Sequence, residues 1–232
     1  MVRTCLDGKD LAQTAVQVFR EQFKKSVRRS GRFSVVLSGG HTPELTYQLL
    51  GETSFQQEID WSQVNVFWGD ERCVPSDSPQ NNFGMAKRIL LSKVPIPSSQ
   101  IFPIPYDPKT GKSAEYYEST LRKYFDSSPP SFDLVFLGLG QDGHTASLFP
   151  GSPGLNEKTK WVTTVKNETE DFARITLTPW LLNQSKMVVF LVSGEDKTAI
   201  LNEVMREPDK KCLLPAQLIH PCAGELLWLI SP

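Results

Sequence analysis

The sequence predicts an α/β protein built around a largely parallel sheet. Short apolar runs of strand length alternate with amphipathic stretches of helix length along the chain, and that alternation is typical of βαβ units. Two of the apolar runs, residues 33–37 and 133–137, stop on glycines and are each followed by a histidine. Such strand ends are typical of buried parallel strands that meet a ligand at the edge of an open sheet.

In the N-terminal half, the elements follow from apolar spacing and from residues suited to helix starts. Residues 9–29 place apolar side chains on one helical face and predict the first helix. Thr42 suits an N-cap and Pro43 suits the first helical position, so the next helix is predicted to run to about residue 50. The strands predicted in this half are 33–37, 64–68 and 101–104, and the further helices are 82–91 and 113–125.

In the C-terminal half, the strand at 133–137 is followed by alternating segments at 161–165 and 174–177 that predict two more strands. Pro179 opens a short helix. The remaining predictions are strands at 186–192 and 226–230 and a helix at 195–205. A chain of 232 residues fits one large domain or two small ones. Because no linker or repeat divides it, we expect a single domain over residues 1–232.

Composition excludes several classes of function. The formal net charge is −1, so no overall basicity indicates a nucleic-acid partner. No apolar run approaches the length of a membrane span, and residues 1–10 lack the apolar core of a signal peptide, so we expect a cytoplasmic protein. The cysteines form no Cys-x-x-Cys pair and match no zinc spacing, so we expect reduced thiols and no metal or cofactor. They are Cys5, Cys73, Cys212 and Cys222.

The first glycine-rich strand end has the features of an anion site. Ser38, Gly39 and Gly40 join the predicted strand to the start of a helix. Glycine lets a ligand approach the backbone closely, and the free N–H groups of a helix N-terminus attract anions. A phosphate group would fit there, although the same residues could equally form a tight turn without a ligand.

The second glycine-rich strand end, residues 138–143, is a literal match to the G-x-G-x-x-G dinucleotide fingerprint. Its context does not fit, because the Pro and Gly residues at 149–154 break the chain where a long helix should run. A strand with an acidic end about 20 residues further on is also missing. We therefore discount nicotinamide binding.

His144 stands at the end of this second cluster, with Asp142 two residues before it. A lone histidine is more often structural than catalytic. Its position at a glycine-flanked strand end, beside a carboxylate that could orient the ring, instead favours proton transfer.

Charged residues elsewhere are candidates for holding a phosphorylated substrate. Asp70 and Arg72 follow the strand at 64–68, and Arg174 and Lys197 offer the arginine fork and the lysine charge that suit phosphate. Taken singly, each could be an ordinary surface charge. The chain contains no G-x-S-x-G elbow and no H-E-x-x-H motif, which disfavours a serine hydrolase of the α/β-hydrolase type and a zinc protease.

Together these motifs resemble the 6-phosphogluconolactonase family, in order and over nearly the whole chain from about residue 34 to 228. The related glucosamine-6-phosphate deaminases share the Ser-Gly-Gly and Asp-Gly-His elements but carry Asp-Glu-Tyr where this chain has Asp70-Glu71-Arg72. The lactonase branch is therefore favoured. The segments that carry the resemblance are 37–43, 69–75 with 82–84, 132–150, 173–178 and 193–197, of which 142–150 is the most specific.

The resemblance implies metal-independent hydrolysis of 6-phospho-D-glucono-1,5-lactone to 6-phosphogluconate, the second step of the oxidative pentose phosphate pathway that supplies NADPH. It also implies a Rossmann-like sheet with helices on both faces and additional strands. A functional association or fusion with glucose-6-phosphate dehydrogenase is left open.

For the site, the resemblance implies that His144 is the base and that Asp142 orients it. Asp70 would hold sugar hydroxyls or, as in the deaminase branch, act as a base. The residues that would anchor the substrate and its phosphate are Ser38, Gly39, Gly40, Arg72, Arg174 and Lys197. Two alternatives remain open: a deaminase or isomerase acting on a sugar phosphate, and a sugar-phosphate-binding protein without catalytic activity.

Overall fold

Seven parallel strands form the central sheet of this computed structural model, which describes residues 1–107, 112–126, 129–166, 170–207 and 213–232. The order across the sheet is β1-β10-β9-β6-β2-β3-β5. The prediction of a largely parallel α/β sheet is confirmed. The strands of this sheet are β1 (Val2–Thr4), β2 (Phe33–Leu37), β3 (Val64–Trp68), β5 (Ile101–Phe102), β6 (Leu134–Leu137), β9 (Met187–Ser193) and β10 (Glu225–Ser231).

A second sheet of three antiparallel strands, β4 (Asp70–Arg72), β8 (Ala173–Leu177) and β7 (Val162–Lys166), extends from the end of β3. The Leu177 N–H donates to the Gly69 carbonyl at 2.8 Å and joins this sheet to the end of β3. In the register of β4 with β8, Arg72 lies opposite Arg174. The alternation at 161–165 and 174–177 predicts two of these strands, whereas the sequence places residues 70–72 only after the strand at 64–68.

The helices flank the sheets, and the longest is capped at both ends. The Asp7 side chain accepts the Asp10 N–H at 2.8 Å at the start of α1, and Gly31 ends the helix with a φ of 68°. A face of α1 that includes Leu11, Ala15 and Phe19 is buried against the sheet. The helices are α1 (Gly8–Ser30), α2 (His41–Leu50), α3 (Thr53–Gln56), α4 (Asn82–Ala86), α5 (Ser113–Phe125), α6 (Pro179–Leu182) and α7 (Thr198–Met205).

Several predicted elements differ in detail from the structure. The helix expected at 82–91 divides into α4 and one π-helical turn at Lys87–Leu91. The strand expected at 101–104 shortens to two residues, and α7 begins only after a 3₁₀ turn at Glu195–Lys197. The short strand β1 was not predicted at all. In the part of the chain that is described, no helix has the length and apolarity needed to cross a membrane.

The cysteines that the structure describes carry free thiols, buried for Cys5, half-buried for Cys73 and exposed for Cys222. Cys212 lies outside the described residues.

Candidate active site

The carboxyl ends of β2, β6 and β9, together with β4 and β8 of the second sheet, surround a cleft of about 430 Å³. Parallel strands end at the same edge of their sheet, so residues far apart in sequence meet there. His144 and all of the sequence-predicted substrate residues line this cleft. These substrate residues are Ser38, Gly39, Gly40, Asp70, Arg72, Arg174 and Lys197.

Asp142 lies beside the His144 ring. His144 Nδ1 is 2.6 Å from Asp142 Oδ1, and the same oxygen accepts the His144 backbone N–H at 3.0 Å. A carboxylate at Nδ1 favours the tautomer that carries its proton on Nδ1 and leaves Nε2 unprotonated. The arrangement can therefore present a basic nitrogen on a ring whose orientation is fixed.

The charge of Asp142 is favoured by its contacts with His144. Burial acts to raise the pKa of Asp142, but the backbone N–H, the charge and the ring of His144 outweigh it, and the pKa is lowered from its ordinary value. Asp142 is therefore ionised at neutral pH, as a group that orients and supports an imidazolium must be.

The histidine loop requires glycine at position 140. A Cβ on Gly140 would lie 2.0 Å from His144 Nδ1, which is closer than any real contact. The Gly140 N–H donates to the His144 carbonyl at 2.8 Å, and the Gly143 N–H donates to the Gly140 carbonyl at 3.1 Å. These bonds close the loop on itself and fix the ring, and they also mean that neither N–H is available to a reaction intermediate.

A buried phenol fixes the β2–α2 turn by hydrogen bonds. Tyr47, on α2, accepts the Ser38 N–H at 2.9 Å and donates to the Ser38 carbonyl at 3.0 Å. The buried Ser38 Oγ has no hydrogen-bond partner among the described residues. Because the first N–H groups of α2 follow directly, this turn can supply both a hydroxyl and backbone donors to an anion.

Asp70 and Arg174 form a polar group on the β4–β8 side of the cleft. Asp70 is only 5% exposed, and its Oδ2 accepts the Ser147 hydroxyl at 2.6 Å. Arg174 Nη1 lies 3.9 Å from the same oxygen. The other guanidinium nitrogens of Arg174 bind Glu170, with Nε 2.6 Å from Oε2 and Nη2 in contact with Oε1. Arg174 therefore enters the cleft with most of its donors already engaged.

Of Arg174 and Lys197, the two cations that the sequence predicts for phosphate, Lys197 has fewer contacts with carboxylates among the described residues. Among the residues that the structure describes, Lys197 pairs with the carboxylate of Asp196, with Nζ 3.6 Å from Oδ2. Asp196 Oδ2 also accepts the Gln141 amide at 2.9 Å and so connects the lysine turn to the histidine loop.

Several residues at the site were not among the sequence-predicted site residues. Asn82 lines the cleft, and its position in the motif 82–84 was the one available signal. Ser147 and Asp196 lie within the segments 132–150 and 193–197 that carry the resemblance, whereas Glu170 lies in none of these segments. The roles of all three depend on contacts that only the fold creates. Among the residues that the structure describes, His, Cys, Asp and Glu side chains form no group of three or more that could bind a metal ion.

Comparison with known proteins places the chain in one family. Residues 6–228 match the family model described as glucosamine-6-phosphate isomerases/6-phosphogluconolactonase. A 6-phosphogluconolactonase of Synechocystis sp. is 37% identical over 227 residues, which cover 95% of this chain and 91% of the relative. The 6-phosphogluconolactonase of Rattus norvegicus is 37% identical over 204 residues, which cover 87% of this chain and 79% of the relative.

The fold agrees with the sequence comparison. The crystal structure of 6-phosphogluconolactonase from Thermotoga maritima superposes with a TM-score of 0.86 and 31% identity, covering 100% of this chain and 99% of that one. The similarity therefore extends over the whole architecture, including the strand ends that form the cleft.

Proposed function

The chain belongs to the glucosamine-6-phosphate isomerase/6-phosphogluconolactonase family, and we propose that it hydrolyses 6-phospho-D-glucono-1,5-lactone to 6-phosphogluconate with His144 as general base. It is an enzyme of the 6-phosphogluconolactonase type, as its relatives from bacteria, plants and rat are named. The observation that carries the mechanism is the contact of 2.6 Å between His144 Nδ1 and Asp142 Oδ1 at the edge of a cleft with cationic and N–H groups.

The reaction needs little more than a positioned base, because a lactone carbonyl is already electrophilic. His144 Nε2 takes a proton from water as the water oxygen attacks the lactone carbonyl carbon. The tetrahedral intermediate then collapses, the bond to the ring oxygen breaks, and the imidazolium returns the proton to that oxygen. Asp142 stabilises the imidazolium in between. A general base of this kind contributes about 10²–10⁴-fold to the rate.

The remaining cleft residues are assigned to binding. Ser38, Gly39 and Gly40 offer a hydroxyl and backbone donors at the start of α2, and Lys197 adds a positive charge that suits a phosphate dianion. Arg72 and Arg174 complete the positive lining, and Asp70, as an acceptor, is assigned to sugar hydroxyls. The substrate is a phosphorylated sugar lactone.

One observation favours a second candidate function, that of a sugar-phosphate deaminase. Asp70 is a buried carboxylate within the cleft, and in the deaminase branch the matching aspartate acts as a base. Arg174 at 3.9 Å and the Ser147 hydroxyl at 2.6 Å both stabilise the Asp70 carboxylate where it stands. A deaminase would use this group to shuttle a proton and would release ammonia from glucosamine 6-phosphate.

We also propose that residues 1–232 act as one domain, since the buried side chains of both halves join in one hydrophobic cluster. The association with glucose-6-phosphate dehydrogenase, the cytoplasmic location and the place in the pentose phosphate pathway stay predictions.

The function is tested with freshly generated 6-phosphogluconolactone in a pH-stat, by acid release above the spontaneous rate. We expect strong acceleration that is unchanged by chelator, and no ammonia from glucosamine 6-phosphate. Ammonia release without lactone hydrolysis would replace the lactonase by the deaminase. Tight sugar-phosphate binding without either reaction would indicate a binding protein. Activity lost with chelator and restored by zinc would contradict the metal-free mechanism.

A further inference from the structure

Glu71 is the buried residue between two cleft residues of β4, Asp70 and Arg72, and the proposed chemistry gives it no role. The residue is only 3% exposed. Its carboxylate accepts three backbone N–H groups: Oε1 accepts those of Arg72 at 2.9 Å and Asn82 at 2.8 Å, and Oε2 accepts that of Phe83 at 2.8 Å. One carboxylate therefore ties β4 to the start of α4 across the intervening loop, residues 73–81.

Asn82 carries this connection into the cleft. Its Nδ2 donates to the Asp70 carbonyl at 3.0 Å. Its amide lies so close to the β2–α2 turn that a Cβ on Gly39 would be 1.9 Å from Asn82 Oδ1. A displacement of the Asn82 backbone would therefore disturb both the Asp70 strand and the Gly39 turn.

Both the backbone and the guanidinium group of Arg72 are hydrogen-bonded, the first to Glu71 and the second to the loop at residues 73–81. Its N–H is bound by Glu71, and its guanidinium Nη1 donates to the Gln80 carbonyl at 2.6 Å at the base of the loop. The buried Arg72 Nε has no partner among the described residues. The guanidinium is thus fixed on one side by the loop, and the residue lines the cleft.

We propose that Glu71 is a positioning residue for substrate binding, which acts by fixing the backbone of Arg72 and Asn82 at the cleft. This inference rests on the proposed lactonase function. A carboxylate with three N–H donors defines the loop geometry more tightly than neutral acceptors would, because hydrogen bonds to a charged group are shorter and stronger.

Folding stability does not by itself account for an ionised carboxylate at this position. Burial raises the pKa of Glu71 to about 7, against the three N–H donors that act to lower it. The charge of Asp70, the preceding residue of β4, acts in the same direction as burial. At pH 8 the ionised form therefore opposes folding rather than supporting it, while its hydrogen bonds organise residues of the cleft.

The test compares Glu71→Gln with Glu157→Gln as a matched control. Glu157 also accepts three backbone N–H groups, those of Lys158 and Thr159 at 2.9 Å and of Lys160 at 3.1 Å, but it does not line the cleft. At pH 8, we expect Glu71→Gln to raise KM for 6-phosphogluconolactone about tenfold, comparable to one charge-assisted hydrogen bond. We expect kcat to stay within about threefold and Kd for 6-phosphogluconate to rise in parallel. Glu157→Gln should change neither constant.

A double-mutant cycle shows whether Glu71 acts through its neighbour. In the Arg72→Ala background, we expect Glu71→Gln to raise KM by a further factor of less than about three. Both substitutions remove the same positioned Arg72 side chain, so their effects should not be additive. Amide hydrogen exchange at Asn82 and Phe83 should be faster in Glu71→Gln, which reports on the loop without any substrate.

The outcomes separate this inference from the proposed function. Wild-type protein that hydrolyses no lactone overturns the function. If the wild-type protein hydrolyses the lactone but Glu71→Gln has an unchanged KM, only the role of Glu71 is overturned. The same holds if Glu157→Gln raises KM as much as Glu71→Gln does. Full additivity with Arg72→Ala, or unchanged exchange at Asn82 and Phe83, also contradicts it. If Glu71→Gln does not fold, Glu71→Asp, which keeps the charge but shortens the reach, is expected to show the same rise in KM, and normal binding by that variant overturns the inference.

Discussion

The contact between His144 and Asp142 carries the proposed chemistry. We expect Asp142→Asn to lower kcat by roughly 10²–10⁴-fold, because an amide beside Nδ1 no longer enforces the tautomer that leaves Nε2 basic. Steady-state kinetics with the phosphorylated lactone measures this effect.

His144→Ala should lower kcat by a similar factor and still bind 6-phosphogluconate, since the imidazole is assigned to proton transfer. Wild-type turnover by His144→Ala at saturating lactone would show that the histidine is structural.

The two candidate phosphate cations should behave differently. Lys197→Ala is expected to lower kcat/KM for the phosphorylated lactone about ten- to a hundredfold and to leave unphosphorylated gluconolactone nearly unchanged. Arg174→Ala should also slow the unphosphorylated lactone, because removing it leaves Glu170 and the buried Asp70 without their cation. The measurements are made at fixed ionic strength, with exposed Lys158→Ala as control. An unchanged preference for phosphorylated lactone in both variants would place these residues outside the phosphate site.

The raised pKa of Glu71 predicts how stability changes with pH. A carboxyl whose pKa rises to about 7 on folding binds its proton more tightly in the native state. Its contribution is therefore fully present below the unfolded pKa and is lost as pH rises through about 7. Glutamine cannot lose a proton. From pH 5 to pH 8, the free energy of unfolding of Glu71→Gln should consequently rise relative to wild type by on the order of 2–3 kcal/mol.

Urea unfolding of the two proteins at both pH values measures this difference. A difference between variant and wild type that stayed constant from pH 5 to pH 8 would mean that Glu71 ionises normally in the folded chain.

At the scale of single elements, the sequence predicted what has a local signal. The glycine-ended strands β2 and β6 and the amphipathic α1 were expected close to their observed bounds. The strands β1 and β4 were not, because three residues such as Val-Arg-Thr or Asp-Glu-Arg show no usable periodicity. They become strands through pairing: β1 aligns Val2 with Trp228, at the other end of the chain.

The β2–α2 turn depends on a single phenol that serves both elements. Tyr47→Phe removes a buried hydroxyl that bonds the N–H and the carbonyl of Ser38. We expect a loss of at least about 2 kcal/mol in the free energy of unfolding, because two buried backbone groups lose their partner. We also expect weaker 6-phosphogluconate binding, as the turn loosens. Tyr106→Phe, at an exposed position, is the control. Equal unfolding free energies for the two variants would show that Ser38 finds other partners.

The order of strands in the sheet brings the residues of the site together. The sequence could nominate residues at strand ends, since each nomination needs only its local context. It could not foresee that Ser147 would bind Asp70, which lies 77 residues earlier, or that Asp196 would meet Gln141. Such partners decide how free each cation is, and they follow from topology rather than from any motif.

The two ends of the strands carry different polar clusters. The cluster at the carboxyl ends forms the cleft, and the cluster at the amino ends stabilises the fold. At the edge opposite the cleft, buried Asp133 accepts the Ser34 N–H at 2.8 Å, and its other oxygen binds Arg29 and Lys186, each at 2.7 Å. These contacts join the beginnings of β2, β6 and β9, the three strands whose far ends line the cleft. Replacing the Asp133 carboxylate should therefore weaken the fold without reaching the reacting groups.

We expect Asp133→Asn to lower the free energy of unfolding by about 2–3 kcal/mol, because the half-exposed cations stay hydrated and only the charge-assisted bonds are lost. In a chain of this size, that loss corresponds to a Tm lower by about 5–10 °C. At 25 °C, kcat/KM should stay within about twofold, because the folded population still dominates. Thermal unfolding and lactone hydrolysis by the same preparation measure both quantities, with exposed Glu21→Gln as control. A large fall in kcat/KM without a fall in Tm would mean that the two edges of the sheet are coupled, and that the strands transmit changes at their beginnings to the cleft.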